Sequence, residues 1–263
     1  METSDGEDFQ DLLLRRLLHW FKHDFFTWVN EPSCDSCKSA TQGRGMTPPT
    51  PDEIRFGGSR VELYQCLTCT KMTRFPRYNH PGKLLETRRG RCGEWANCFA
   101  LICRAMGFET RYILDFTDHV WTEVFSVAKN RWVHADSCEN AYDSPLMYEA
   151  GWGKSLNYVF AFTGYEVRDV YRRYTRKFDE VLGRRTQVPE RWLSTLCQAM
   201  TNAMGAKISA DVQTEHRDRR HTEDVEFLAV LFQDFQLKEA ETAGRQSGSL
   251  QWRTERGEIG DRL

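Results

Sequence analysis

The sequence predicts an α+β fold: an antiparallel β-sheet served by a helix that opens on a cysteine, with a four-cysteine zinc-binding subdomain ahead of it. Three observations carry that expectation. Two Cys-x-x-Cys pairs, Cys34/Cys37 and Cys66/Cys69, stand in the first third of the chain. A helical apolar pattern begins at Cys92 itself. Three strand-like runs then follow closely, the last two joined by a short turn.

The bulk properties bound the rest. The chain has 263 residues, 40% hydrophobic and 13% aromatic, enough for one large domain or one domain with attachments. A net charge of −2 gives no electrostatic case for nucleic acid or an anionic membrane surface. No apolar run reaches the length of a membrane span. The first eight residues are acidic, unlike a secretory signal, so a cytoplasmic setting is expected. The nine cysteines, read in a reducing compartment, point to metal or catalysis rather than to disulfides.

Taken in order, residues 8–31 hold an amphipathic helix in which Leu12, Leu13, Leu17, Trp20, Phe21 and Phe25 recur at helical spacing. Pro32 stops it. Residues 32–71 form the zinc-binding segment, with 41–51 read as a Gly/Pro-rich loop and 60–65 as a short strand. The core spans 72–205. Its helix runs 92–106 on Trp95, Phe99, Ile102 and Met106 and stops at Gly107. Strands are expected at 111–116, 120–127 and 131–135, the last two joined at Ala128-Lys129-Asn130, and helical patterning at 167–182 and 190–204. Residues 206–240 form a charged extension whose helix is expected over 223–238, and 241–263 reads as a disordered tail.

Each Cys pair places two thiolates on one tight turn, and two such turns complete a tetrahedral sulfur site. The alternatives are four ordinary cysteines or one redox-active pair. Zinc is preferred, because neither pair sits in a thioredoxin-like context. With Cys34, Cys37, Cys66 and Cys69 all engaged, no coordination position stays open, so one structural Zn2+ is expected.

Cys92 lies in Arg-Gly-Arg-Cys-Gly-Glu-Trp-Ala-Asn-Cys-Phe. A thiol at a helix N-terminus meets the positive end of the helix dipole and free backbone N–H groups, which favour a thiolate and can receive an oxyanion. Arg89 and Arg91 are expected to add positive charge. His119 begins one strand and Asp136 follows another, so a hairpin brings them together at its open end; direct pairing needs a turn centred between 127 and 128. Such a pair fixes the tautomer of a general base. On spacing alone His119 also reads as a solvated turn histidine and Asp136 as a cap. Cys98, Cys103, Cys138 and Cys197 read as small buried hydrophobes.

Three blocks carry a resemblance: Cys-Gly-Glu-Trp-Ala-Asn-Cys-Phe, Asp-His-Val-Trp-Thr-Glu-Val-Phe and Arg-Trp-Val-His-Ala-Asp-Ser-Cys-Glu. Together they resemble the cytoplasmic peptide:N-glycanase family over about residues 10–205, including both Cys pairs. The resemblance implies a transglutaminase-like, papain-related core with an antiparallel sheet and a nucleophile helix, within the α+β class. It implies that Cys92, His119 and Asp136 are nucleophile, general base and orienting carboxylate. The reaction implied is hydrolysis of the bond between an N-linked glycan and its asparagine side chain in misfolded glycoproteins, through a thioester, during ER-associated degradation. By the same resemblance Glu139 contacts chitobiose, and Arg111, Trp121, Glu123 and Trp132 line the site. Trp121 and Trp132 also lie on strands, where a core role is the default. Gly151-Trp152-Gly153-Lys154 and Arg172-Arg173-Tyr174 look like further family features.

Larger members carry flanking adaptor and carbohydrate-binding domains, and neither is expected here as a whole. The tail from Gly244 to Glu258 resembles only the entry to the second of these, which suggests a truncated isoform or a partial gene model. Implied partners are denatured N-glycoproteins, a ubiquitin-receptor shuttle factor and, through it, the proteasome; neither nucleic acid nor a membrane span is expected. Two other functions remain open: another cysteine hydrolase or acyltransferase, such as a protease or transglutaminase, and a non-catalytic adaptor.

Overall fold

The computed structural model describes residues 8–232 and 234–260; the acidic start and the last three tail positions lie outside the described residues. Helix α1, Phe9–Trp20, is capped by the Asp8 carboxylate, which accepts from Gln10 N–H at 2.9 Å. It passes into a wider π-turn over Phe21–Phe25. The sequence carried this helix to residue 31. Instead strand β1, Thr27–Trp28, pairs in parallel with the later Arg89–Gly90 strand. The buried stripe is Leu14, Leu18 and Phe21, flanked by the partly buried Leu13, Leu17 and Phe25.

The four-cysteine segment is built on a three-stranded antiparallel sheet of β2 (Thr41–Thr47), β3 (Val61–Cys66) and β4 (Met72–Pro76). Residues 41–47, expected as loop, therefore form its edge strand. The glycines that suggested a loop mark a bulge between Gly43 and Met46, where Gly45 takes φ +88°. A capped short helix α2 (Pro51–Arg55) follows β2. Helix α3 (Pro81–Thr87) and strand β5 (Arg89–Gly90) then lead to α4 (Cys92–Ala105).

The main sheet runs in the order β11-β10-β6-β7-β8-β9 and is antiparallel throughout. Its strands are β6 (Thr110–Asp115), β7 (His119–Ser126), β8 (Arg131–Asp136), β9 (Ala141–Tyr142), β10 (Val159–Phe162) and β11 (Val167–Asp169). One face packs on α1 and α4: Phe21 meets Trp95 and Phe99 edge-on at 5.5 and 5.1 Å between ring centroids, and Val124, Val133 and Ala135 complete the cluster. Burying a side chain such as Phe21 contributes about 1.5–3 kcal/mol. Met106, expected on the inward face of α4, lies past its end and is exposed. The other face packs on α5 (Met147–Ala150), α6 (Phe178–Arg184) and α8 (Ala210–Ala229), with Ile113, Trp121, Trp152 and Phe227 between the layers. Helix α7 (Glu190–Gly205) lies along β11, where Thr201 exchanges hydrogen bonds with the Val167 backbone, and its Leu193 packs with Tyr158 and Phe160.

Three expectations change. Residues 167–182 are not one helix but β11, a 3₁₀ turn at Tyr171–Arg173, and α6. The extension helix begins at Ala210 rather than 223; most of its polar stretch faces water, but His216, Glu223 and Phe227 turn inward. Glu223 meets Arg111, Arg168 and Arg173, and the last two bonds measure 2.7 and 2.8 Å. The tail is ordered from 241 to 260. It carries α9 (Glu239–Thr242) and α10 (Leu250–Glu255) and buries Arg245, Ser247 and Glu258. Its docking depends on two glycines: a Cβ on Gly151 would sit 2.2 Å from the Ala243 carbonyl, and one on Gly244 2.2 Å from the Ile259 backbone.

Candidate active site and metal cluster

Helix α4 presents Cys92 at its first position, and the turn before it is held from both sides. Glu94 turns back to accept from Arg91 N–H at 2.9 Å and from Arg77 at 2.6 and 2.8 Å. A Cβ at Gly90 would strike the Glu94 side chain at 2.3 Å, so this return requires glycine there. Arg91 does not face the thiol. Its guanidinium binds the Glu62 carboxylate at 2.8 and 2.9 Å and the Val29 and Asn30 carbonyls. The positive charge expected from Arg89 and Arg91 reaches Cys92 instead from Arg245.

His119 enters β7 after a turn in which Asp118 takes φ +71°. The Asp115 carboxylate fixes that turn, accepting from Thr117 N–H at 2.8 Å and from Lys154 at 2.6 Å. Thr122 pairs with Ala135, so Asp136 continues opposite Trp121, two residues from the directly paired position the turn suggested. The diagonal is short enough for contact: His119 Nε2 lies 2.8 Å from Asp136 Oδ2. The other ring nitrogen serves the thiol, which is hydrogen-bonded to His119. The three residues selected from the sequence therefore form one connected array.

Asp136 is saturated with partners. Its Oδ1 accepts from Cys138 N–H at 2.8 Å, and Oδ2 also accepts from the Tyr148 hydroxyl at 2.9 Å. Tyr148 has one proton to give, so His134 Nε2–H, 2.7 Å away, donates to its oxygen, and His134 Nδ1 accepts from Ser144 N–H at 3.3 Å. Burial holds His134 down at about 4, in keeping with that neutral form. Tyr148 and His134 were missed, although His134 precedes Asp136 by two residues on one strand face, a signal present in the sequence.

Burial pushes the Cys92 thiol up, but the His119 hydrogen bond and the charges of His119 and Arg245 outweigh it and leave it below its ordinary value. Burial pushes His119 down, and Asp136 more than reverses this, so the imidazole titrates above its usual range. Asp136 is penalised by burial yet held well below the carboxylate range by His119. This is the charge pattern of a thiolate facing an imidazolium.

The array opens into a 700 Å³ cleft whose walls include Trp28, Glu31, Arg60, Asp118 and Trp252 together with Cys92. The residues expected to touch substrate stand elsewhere. Arg111 and Glu123 are fully buried behind the sheet, joined at 2.5 Å and tied further to Arg173 and Glu223. Trp132 lies against Arg111 in the core, with 4.2 Å between guanidinium and ring. Trp121 is buried as well; its indole N–H donates to Tyr174 at 2.8 Å and its ring backs His119 at 5.6 Å. Glu139 accepts the backbone N–H groups of Gln246 and Ser247 at 2.9 and 3.1 Å, so it clasps the C-terminal segment. Cys98, Cys103 and Cys138 are buried, as expected, and Cys197 is half-buried.

The four sulfurs of Cys34, Cys37, Cys66 and Cys69 lie within 4.8 Å of one another. Neighbouring sulfurs are 3.4–3.5 Å apart. A tetrahedral metal with bonds of about 2.3 Å asks for about 3.8 Å between sulfurs, so the cluster can hold such an ion after a small expansion. The two knuckles match in form: Lys38 and Thr70, each following the second cysteine of its pair, take φ +62° and +61°.

Residues 44–137 match the family model of the transglutaminase-like superfamily, and 116–228 that of the Rad4 transglutaminase-like domain. Among solved structures, a chain of Rad4-Rad23 crosslinked to an undamaged DNA is 14% identical, with a TM-score of 0.49 over 86% of this chain and 50% of that one. A Gallus gallus peptide-N(4)-(N-acetyl-beta-glucosaminyl)asparagine amidase is 50% identical over 95% of this chain, which spans 38% of that relative. The Yarrowia lipolytica protein of the same name is 45% identical, with 97% of this chain covering 71% of it. The chain belongs to the peptide-N(4)-(N-acetyl-beta-glucosaminyl)asparagine amidase family.

Proposed function

We propose that this chain hydrolyses the amide bond between an N-linked glycan and its asparagine side chain. The observation that carries the reading is the Cys92–His119–Asp136 array, whose cysteine lines an open cleft. The Cys92 thiolate attacks the side-chain carbonyl carbon, and the N–H groups of the first turn of α4 receive the oxyanion. His119 gives its proton to the departing glycosylamine nitrogen as the C–N bond breaks, leaving a thioester. Water, deprotonated by His119, then attacks the thioester, frees Cys92 and leaves aspartate in the polypeptide. Trp28 and Trp252 bring aromatic surface to the cleft, which suits pyranose rings, and Arg60 and Glu31 offer hydroxyl partners.

The four-cysteine cluster is read as a structural zinc site, which when filled supplies a rigid cross-link between two turns and no open coordination position. Family membership supports a cytoplasmic setting, misfolded glycoproteins of ER-associated degradation as substrates, and a ubiquitin-receptor shuttle factor with the proteasome as partners. Among the described residues no helix is long and apolar enough to cross a membrane.

The test is mass spectrometry of a denatured glycoprotein after incubation with the chain. Free glycan together with Asn-to-Asp conversion at the former attachment site supports the reading, with Cys92→Ala inert. Cleavage of an unglycosylated peptide backbone instead would make the chain a protease, and equal behaviour of parent and Cys92→Ala would make it an adaptor.

A further inference from the structure

Arg245 lies beyond both family-model matches, in the segment the sequence assigned to disorder. It is 1% exposed and reaches the reacting pair from the side opposite Asp136. Its Nη2 lies 3.4 Å from His119 Nδ1, the ring nitrogen that does not face the carboxylate. A guanidinium only donates, so in the neutral imidazole Nδ1 is the acceptor on this side and the ring proton sits on Nε2, toward Asp136. The guanidinium is held between two indoles, 4.6 Å from Trp152 and 4.5 Å from Trp252. Glu258 fixes one arm at 2.8 Å and Ser247 accepts from Nε at 3.0 Å. Such a clamp selects one orientation of a cation at a distance from water.

We propose that Arg245 is a positioning residue for the deglycosylation reaction, a fixed cation that serves as counter-ion to the Cys92 thiolate and keeps His119 Nδ1 free to take the thiol proton. This inference rests on the reading under Proposed function and assigns the C-terminal segment a part in it. The titratable groups acting on Cys92 are His119 and Asp118 from β7 and its turn, Tyr112 from β6, Cys138 after β8, and Arg245, and Glu31, Arg60, Arg77 and Arg91 line the same cleft. Arg77 and Arg91 are paired with Glu62 and Glu94, and besides His119 it is Arg245 whose charge lowers the thiol. Asp136 favours the imidazolium, whereas Arg245 opposes it and favours the thiolate. The two charges thus divide the tuning of the pair between an anion on Nε2 and a cation beside Nδ1.

The experiment reads the charge on Cys92 directly. Parent, Arg245→Met and Arg245→Lys are alkylated with iodoacetamide over a range of pH, and modification of the Cys92 peptide is followed by mass spectrometry. Methionine fills the slot between the indoles without charge; lysine restores charge. The proposal expects the Arg245→Met profile to move up by about one to three pH units, with Arg245→Lys recovering most of the shift. Superimposable parent and Arg245→Met profiles overturn it, as does an Arg245→Lys profile shifted as far as Arg245→Met. Arg245→Met leaves Glu258 buried and unpaired, so the double variant Arg245→Met/Glu258→Gln replaces it if the single one does not fold. Should neither neutral variant fold, Arg245→Lys decides: within about half a unit of parent supports the proposal, and a rise of more than about one unit overturns it. Alkylation needs no glycan, so a parent that releases none overturns the proposed activity while this comparison still stands.

Discussion

Cys92 and His119 shift toward each other, and the consequence is a pH window. The thiol sits below its ordinary 9.0 and the imidazole above its ordinary 6.5. As pH rises through the lowered thiol value the thiolate forms, and as it rises through the raised imidazole value the proton needed by the leaving glycosylamine is lost. The rate of glycan release should therefore trace a bell with its acid limb below pH 9.0 and its alkaline limb above pH 6.5, read as kcat/KM against pH. Tyr148 is the least replaceable support of the pair. Tyr148→Phe removes a donor from Asp136 and strands the His134 N–H, both fully buried. The expected loss is about 1–3 kcal/mol of stability, read by denaturant unfolding. Cys92, His119 and Asp136 could be singled out in the sequence because each sits at an element end, as the proposed nucleophile, base and carboxylate. Tyr148 could not, since it comes from α5, and nothing local says that this helix lies under β8.

At the scale of elements, α8 shows how far a local pattern can mislead. Its residues 211–224 are charged, which reads as a solvated surface, yet Glu223 is buried between three arginines from β6, β11 and the following turn. Burial pushes the Glu223 carboxyl up, but Arg111, Arg173 and Arg168 outweigh it and bring it to about 2. Glu223→Ala leaves Arg111 and Arg173 short of an anion inside the fold. The expected cost is about 3–5 kcal/mol, measured by chemical denaturation. The nucleophile helix is the opposite case. Its start, its Gly107 stop at φ +85° and its Trp95/Phe99 face were all legible, because each is set within one turn of the residues concerned.

At the scale of the molecule, the four-cysteine segment is wired to the helix that begins at Cys92. Glu62 on β3 joins Arg91 and Arg77, and Arg77 joins Glu94 on α4. With the proposed zinc bound, its removal by a strong chelator should lower alkylation at Cys92 along with the helical signal, although the four thiols lie outside the cleft. Burial raises the Glu62 carboxyl, and Arg91 and Tyr64 more than offset this to hold it at about 2, below its ordinary 4.5. A lowered value means stability present above pH 4.5 and lost as pH falls toward about 2, so the Glu62→Gln variant should show a flatter acid-unfolding curve there. The sequence alone determined the α+β class and the two cysteine knuckles, and it singled out the helix that begins at Cys92 and the Cys92, His119 and Asp136 side chains that the fold brings together. Those features depend on spacing within a turn, a hairpin or a Cys-x-x-Cys loop, and short-range geometry constrains them. Tertiary structure alone decided that Arg111 and Glu123 brace the sheet, that Glu139 clasps the chain's end, and that the tail is ordered. It also decided that the cation beside the thiol is Arg245 rather than Arg91. Charged side chains carry no mark of their partner's position along the chain, and the partners here stand up to 153 residues away, as Arg245 does from Cys92. Only the packed fold shows which charge meets which.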